Sequence, residues 1–127
     1  MFYYSTDAAR FSGEPNDFVV LTPSSYVTWE GNSVSGTFSD GDVCVSNIEA
    51  GAQELSNFAL AGTVYNSYRG FNCYRIDGRV LTYVESPNGF FQGVCNSIYY
   101  CMDVSLCFSF KEKRKVINHS TGLIILR

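Results

Sequence analysis

Short runs of β-branched and aromatic residues, cut at close intervals by turn formers, constrain this chain more than any other feature. Asp17–Thr22, Tyr26–Glu30, Val34–Phe38 and Asp42–Ile48 are such runs, separated by Pro23, Gly31 and Asp40-Gly41. Runs this short cannot hold helices of ordinary length, and their residue types suit a pleated, half-buried surface. The strongest local signal is Phe71–Ile76, then Asp77-Gly78, then Arg79–Val84. Asp-Gly between two strand-like runs predicts a two-residue hairpin turn, because both central residues must tolerate positive φ. Ile76 would then face Arg79, Tyr74 would face Leu81, and Cys73 would face Thr82. Phe71, Cys73, Val80 and Val84 would share the core face; Tyr74, Ile76, Leu81 and Tyr83 would share the other. Both faces are apolar, which predicts a central position. Ile48, Ala52, Leu55 and Phe58 fall at helical spacing instead, with Gly51 interrupting, and predict one short helix or compact loop.

The 127 residues suffice for one hydrophobic core and no more. The chain is therefore expected to be all-β: a small Greek-key sandwich or barrel of roughly seven to ten strands, stabilised by disulfides, with at most one short helix. It is read as a single β domain over 1–127. Charge divides it unevenly: residues 1–101 carry four basic and ten acidic side chains, net −6, and residues 102–127 carry five basic and two acidic ones, net +3. The segment 102–127 therefore reads as a peripheral or atypical C-terminal extension. Its basic cluster, Lys111-Glu-Lys-Arg-Lys115, reads as a solvated turn before it reads as a docking site for an anionic partner. The formal net charge of −3 argues against nucleic acid as the partner, since phosphate binding needs a cationic footprint. No apolar run reaches the roughly 20 residues of a membrane-spanning helix.

The five cysteines are Cys44, Cys73, Cys95, Cys101 and Cys107, with no Cys-x-x-Cys pair and a single histidine, His119. Structural zinc sites present closely spaced Cys/His pairs, so no metal and no cofactor is expected. Disulfides in an oxidising compartment suit a small β chain better. Two are expected among Cys44, Cys73, Cys95 and Cys101. Cys73–Cys101 with Cys44–Cys95 is the preferred connectivity, leaving Cys107 free or paired between chains. Buried reduced thiols in a cytosolic protein are the alternative. The first residues show neither a basic nor an apolar leader region, so the chain is read as mature and secreted, with an added initiator Met.

Catalytic chemistry is poorly supplied. His119 with a carboxylate such as Glu85 or Glu112 is the one acid–base candidate, and nothing in their spacing requires them to meet. Asp40-Gly-Asp42 is similar to a fragment of an acidic calcium loop, but the remaining ligands are missing and turn chemistry accounts for it. The aromatic content, ten Phe, nine Tyr and one Trp, offers more. Tyr65, Tyr68, Arg69, Tyr74 and Arg75 cluster around Phe71 in a mixture common at protein-binding hot spots. Asn66-Ser67 and Gly70 predict a turn leading into the next strand, with Tyr68, Arg69 and Arg75 as the exposed contacts; the alternative is a Tyr68 packed into the core.

Tyr68-Arg-Gly-Phe-Asn-Cys73, the Asp77-Gly78 pair and Cys95-Asn-Ser-Ile-Tyr-Tyr-Cys101 together resemble small cysteine-containing secreted proteins of filamentous fungi, a group of effector-like and killer-toxin-like proteins. The resemblance covers about residues 41–101; the tail and Cys107 lie outside it. Leu81-Thr-Tyr-Val-Glu85 followed by Phe91-Gln-Gly-Val-Cys95 is similar to the βγ-crystallin Greek-key hairpin, with a longer spacer and without that family's calcium signature. Small size, expected disulfides, a Tyr-rich surface and the missing catalytic constellation point to a secreted, non-enzymatic binding protein, effector- or toxin-like, acting through an aromatic surface on a protein or glycan of a host or competitor. The alternative is a small secreted hydrolase, a ribonuclease or a carbohydrate-active enzyme.

Overall fold

The computed structural model describes residues 1–4, 15–21, 27–85, 92–103 and 122–126, the last five and residues 79–85 and 92–95 as backbone. Eight strands form one antiparallel sheet: β1 (Phe2–Tyr4), β2 (Asp17–Phe18), β3 (Ser33–Thr37), β4 (Val43–Ile48), β5 (Leu60–Tyr65), β6 (Gly70–Glu85), β7 (Gln92–Asp103) and β8 (Gly122–Leu126). Their spatial order is β2-β1-β8-β7-β6-β5-β4-β3. The sheet curls into a half-barrel, so the fold is all-β and disulfide-stabilised. The described strands follow one another as a meander, with β1 returning beside β8. The expected Greek key would instead bring a fourth strand back beside the first of a consecutive set. Segment 102–127 contributes the end of β7 and all of β8, which lies between β7 and β1.

The expected hairpin at Asp77-Gly78 is corrected to a bulge. β6 runs unbroken from Gly70 to Glu85 and pairs along its length with β7, with Arg75 opposite Tyr99 and Arg79 opposite Ser97. Four steps along β6 thus match two along β7, and Gly78, at φ 77°, takes up the excess. A bulge and a tight turn both need a residue that tolerates positive φ; here the excess residues bend a long strand. Cys73 consequently faces Cys101 and not Thr82. The helix-like stretch reduces to a 3-10 turn over Ala52–Glu54; Ile48 and Ala52 are buried, while Phe58 is 75% exposed.

Alternation places Trp29, Ile48, Val64, Phe71, Cys73 and Tyr99 in one buried cluster inside the curl. Each large apolar side chain removed from water there contributes about 1.5–3 kcal/mol. A second cluster, Tyr4 and Tyr100 with Phe2, Ile76 and Met102 against them, occupies the other face near β1 and β7. Apolar packing on both faces agrees with the central place of β6 and β7.

The sheet's two edges meet through side chains of β2, β3 and the residues that directly follow each. Asp17 Oδ2 accepts hydrogen bonds from the Ser39 amide (2.9 Å) and hydroxyl (2.7 Å). Val19 and Leu21 lie over Gly36, where a Cβ would come within 2.8 Å of Val19 Cγ1 and 2.7 Å of Leu21 Cδ2. Gly36, inside β3, is therefore a close-approach position, whereas Gly31 and Gly41, at φ 74° and 87°, serve turns.

Cys73 and Cys101, opposite one another on β6 and β7, form the disulfide, as preferred from sequence. The other expected pair, Cys44–Cys95, is not formed: Cys44 is a free, buried thiol. Topology explains why. Cys44 precedes Val45, which is level with Tyr65 and hence with Gly70 at the start of β6, whereas Cys95 on β7 is opposite Thr82 near its far end. That stretch of strand is of order 30 Å long, and a disulfide requires Cα atoms within about 7 Å. Cys107 lies outside the described residues.

Candidate functional site

Two turns at one end of the half-barrel carry the site. The β3–β4 turn closes by hydrogen bonds from the Phe38 amide to the Asp42 carbonyl (2.9 Å) and from the Gly41 amide to the Phe38 carbonyl (3.0 Å). Asp40 Oδ1 accepts the Asp42 amide at 2.9 Å, the self-bonding that favours Asp in turns. In the neighbouring β5–β6 turn, Asn66 Oδ1 accepts the amides of Tyr68 (3.0 Å) and Arg69 (2.9 Å), and the Asn66 amide donates to the Arg69 carbonyl at 3.0 Å. Asn66 Nδ2 then donates to Asp42 Oδ2 at 2.5 Å and ties the two turns together. One side chain thus fixes both the shape of the second turn and its distance from the first.

Between these turns and the β1–β2 edge lies a cavity of about 340 Å³, walled by the rings of Tyr3, Phe38, Tyr68 and Phe71 and by Asp17, Asp40, Asp42 and Arg69. Tyr3 and Phe38 meet edge to face, ring centres 6.2 Å apart. Tyr68 is 83% exposed, so it stands at the rim and is not a core residue. Arg69 Nη1 donates to Asp103 Oδ2 at 2.9 Å.

Charge here is predominantly negative. Asp17 is held below the usual carboxylate range by the hydroxyl and amide of Ser39. Cys44, on the cavity wall, is pushed up to about 11 by burial first and then by Asp42 and Asp40, against a smaller opposing effect of the chain's amino group. That thiol is neutral at physiological pH and is no nucleophile. Asp42 Oδ1 is closed off from solvent and accepts no hydrogen bond. Among the described residues, no group of three or more His, Cys, Asp or Glu is arranged to hold a metal ion, and no helix is long and apolar enough to cross a membrane.

The structure divides the five binding candidates. Tyr68 and Arg69 line the cavity, and Tyr65, half-exposed, sits beside it on β5 opposite Val45. Tyr74 lies farther along β6 between Leu60 and Tyr100 and is half-buried. Arg75 is bound into the framework: its guanidinium lies 2.8 Å from Asp77 Oδ2, and its side chain is only 17% exposed. Its backbone exchanges hydrogen bonds with Phe58 (2.7 Å) and Ala59 (3.0 Å). Of the catalytic candidates, His119 and Glu112 lie outside the described residues, as does the basic cluster 111–115. Glu85 ends β6 opposite Gln92. Sequence reasoning missed Asp17, Asp42 and Asn66 as site residues. Asp40-Gly-Asp42 and Asn66-Ser67 are local signals, but for turns; no local pattern points to Asp17. Compared with family models, curated proteins and solved structures, the chain matches none of them.

Proposed function

We propose that this is a secreted, non-enzymatic binding protein, effector- or toxin-like in its mode of action, that recognises a protein or glycan through the aromatic surface around Tyr68. The observation that carries the reading is Tyr68 itself, a large ring 83% exposed on a turn whose backbone is fixed by Asn66. An aromatic side chain left in water on a rigid turn loses little conformational entropy when a partner covers it. Tyr65 at 49% exposure and Val43 at 41% are further exposed apolar residues, on β5 and β4. The Cys73–Cys101 disulfide supports an oxidising compartment, where such bonds persist.

The test is binding of the purified chain to a glycan array and to a panel of purified extracellular proteins. Binding that drops about tenfold or more in Tyr68→Ala, with the melting temperature unchanged, supports the reading. Binding indifferent to Tyr68 and Tyr65 removes it. Cleavage of RNA or polysaccharide that disappears in His119→Ala would establish the hydrolase instead.

A further inference from the structure

The cavity beside Tyr68 has walls of two kinds. Four rings, Tyr3, Phe38, Tyr68 and Phe71, give apolar surface, and three carboxylates, Asp17, Asp40 and Asp42, give negative charge. Among the described residues, the one cationic side chain in the lining is Arg69, and it is engaged by Asp103, which does not line the cavity. None of the three lining carboxylates forms an ion pair with a described residue. Asp17 and Asp40 are occupied by neutral donors, the Ser39 amide and hydroxyl and the Asp42 amide. Asp42 has one oxygen on Asn66 and the other closed off from solvent, with no donor among the described residues. Neutral donors orient a carboxylate without cancelling its charge, so the cavity keeps a negative potential beside low-dielectric walls. The thiol of Cys44, pushed up first by burial, is pushed further by Asp42 and Asp40, against a smaller opposing effect of the chain's amino group.

We propose that this cavity takes a cationic group on an apolar stem, an alkylammonium or guanidinium, with the charge among Asp17, Asp40 and Asp42 and the stem against the rings. The inference rests on the binding reading above in placing recognition at this end of the half-barrel, and it adds the chemistry recognised. Electrostatics favours a cation over an anion because, among the described residues, three lining carboxylates face one guanidinium that is already paired. Size favours a single side-chain-like group, because about 340 Å³ is at the small end of ligand sites. Rings beside a cation add attraction of their own through their negative faces. The group is supplied either by a Lys or Arg side chain of the bound partner or by a free small amine or guanidine.

Titration of the full chain, followed by amide chemical shifts, tests this directly. The probes are a Gly-Gly-Arg-Gly-Gly peptide, agmatine, and the same peptide with citrulline, the neutral isostere of arginine, in place of Arg. The expected result is saturable shifts confined to residues 38–44 and 66–71 with both cations, and binding at least about tenfold weaker with citrulline. A peptide that binds tenfold tighter than agmatine identifies a partner's side chain as the source; equal affinities identify a small cation. Asp42→Asn and Asp40→Asn keep a side-chain oxygen for the bonds from Asn66 and the Asp42 amide, and each should weaken the cations without affecting citrulline. No saturable shift with either cation, equal binding of citrulline, or affinity unchanged in both Asn variants would overturn the proposal. Macromolecular binding that depends on Tyr68 would survive that outcome, so the two readings fail separately.

Discussion

Arg69 and Asp103 join the β5–β6 turn to the end of β7 by an ion pair of 2.9 Å, with the Arg69 side chain 51% exposed and that of Asp103 only 6%. The asymmetry sets the cost of losing either partner. Removing Arg69 takes a charge-assisted hydrogen bond from a carboxylate that water barely reaches, and screening at the exposed arginine limits the loss. Arg69→Ala is expected to destabilise the chain by about 1–2 kcal/mol in urea unfolding. Tyr68→Ala should change stability by less than about 0.5 kcal/mol. Equal effects would mean that the pair is not what holds the turn.

Gly62 occupies a place that no other residue fits. Its φ is 154°, and a Cβ there would collide with the Asn47 carbonyl oxygen and sit 2.8 Å from Ile48 Cα. Both neighbours are backbone of β4, which cannot step aside without breaking the pairing of Ile48 with Gly62. Gly62→Ala should cost about 3 kcal/mol or prevent folding. A variant with native stability would show that β4 and β5 do not approach so closely.

The Cys73–Cys101 bond links residues 28 apart in sequence. Closing a loop of that length restricts the unfolded chain by roughly 3–4 kcal/mol in the chain-entropy model. The Cys73→Ala/Cys101→Ala variant should therefore lose a comparable amount, measured by chemical unfolding without reductant. Adding reductant to the native chain should reproduce the loss, and a chain indifferent to both would contradict the assignment.

Cys44 should be inert in the native state. With its thiol pushed up to about 11, the thiolate fraction at pH 8 is about one in a thousand, and burial restricts access further. Alkylation should proceed only as the chain unfolds. The linkage has a definite sign: a thiol whose native pKa exceeds its unfolded value of about 9 stabilises below pH 9, and that stability is lost as pH rises towards 11. Cys44→Ala should flatten this alkaline limb of the stability profile. An unaltered limb would assign it elsewhere.

The sequence made the strand content and the turns at Gly31 and Asp40-Gly41 legible because each depends on local propensity. It also preferred the pair Cys73–Cys101, although the predicted hairpin set Cys73 opposite Thr82. The Asp77-Gly78 pair shows where local reasoning ends: the same two residues serve a hairpin turn or a bulge, and the pairing of Arg75 with Tyr99 and Arg79 with Ser97 decides between them. The Cys44–Cys95 error has the same origin, since distance along a bent strand depends on which strands pair. The cavity was out of reach for a further reason. Tyr3, Asp17, Asp42 and Asn66 come from four separate segments, and only the curl of the sheet brings them to one wall.

Asp17 is where the two edges of that curl are fastened, so the last prediction concerns acid. The Ser39 hydroxyl and amide stabilise the carboxylate and hold its pKa below the ordinary value of 3.8. A carboxylate with a depressed native pKa contributes stability that is present above its unfolded value and is lost as pH falls through the native one. The contact between β2 and β3 should therefore hold from neutral pH down to about pH 4 and loosen below it. Hydrogen exchange should show this at the Ser39 amide, whose acceptor weakens on protonation, before it shows at the strand amides of β6 and β7. Asp17→Ala should give the same local exchange at pH 7, with Val19 and Leu21 still packed over Gly36 and global stability little changed. Uniform acceleration across the sheet in that variant would mean that the seam is part of the global fold. Unchanged exchange at Ser39 would mean that the hydrogen bond does not form.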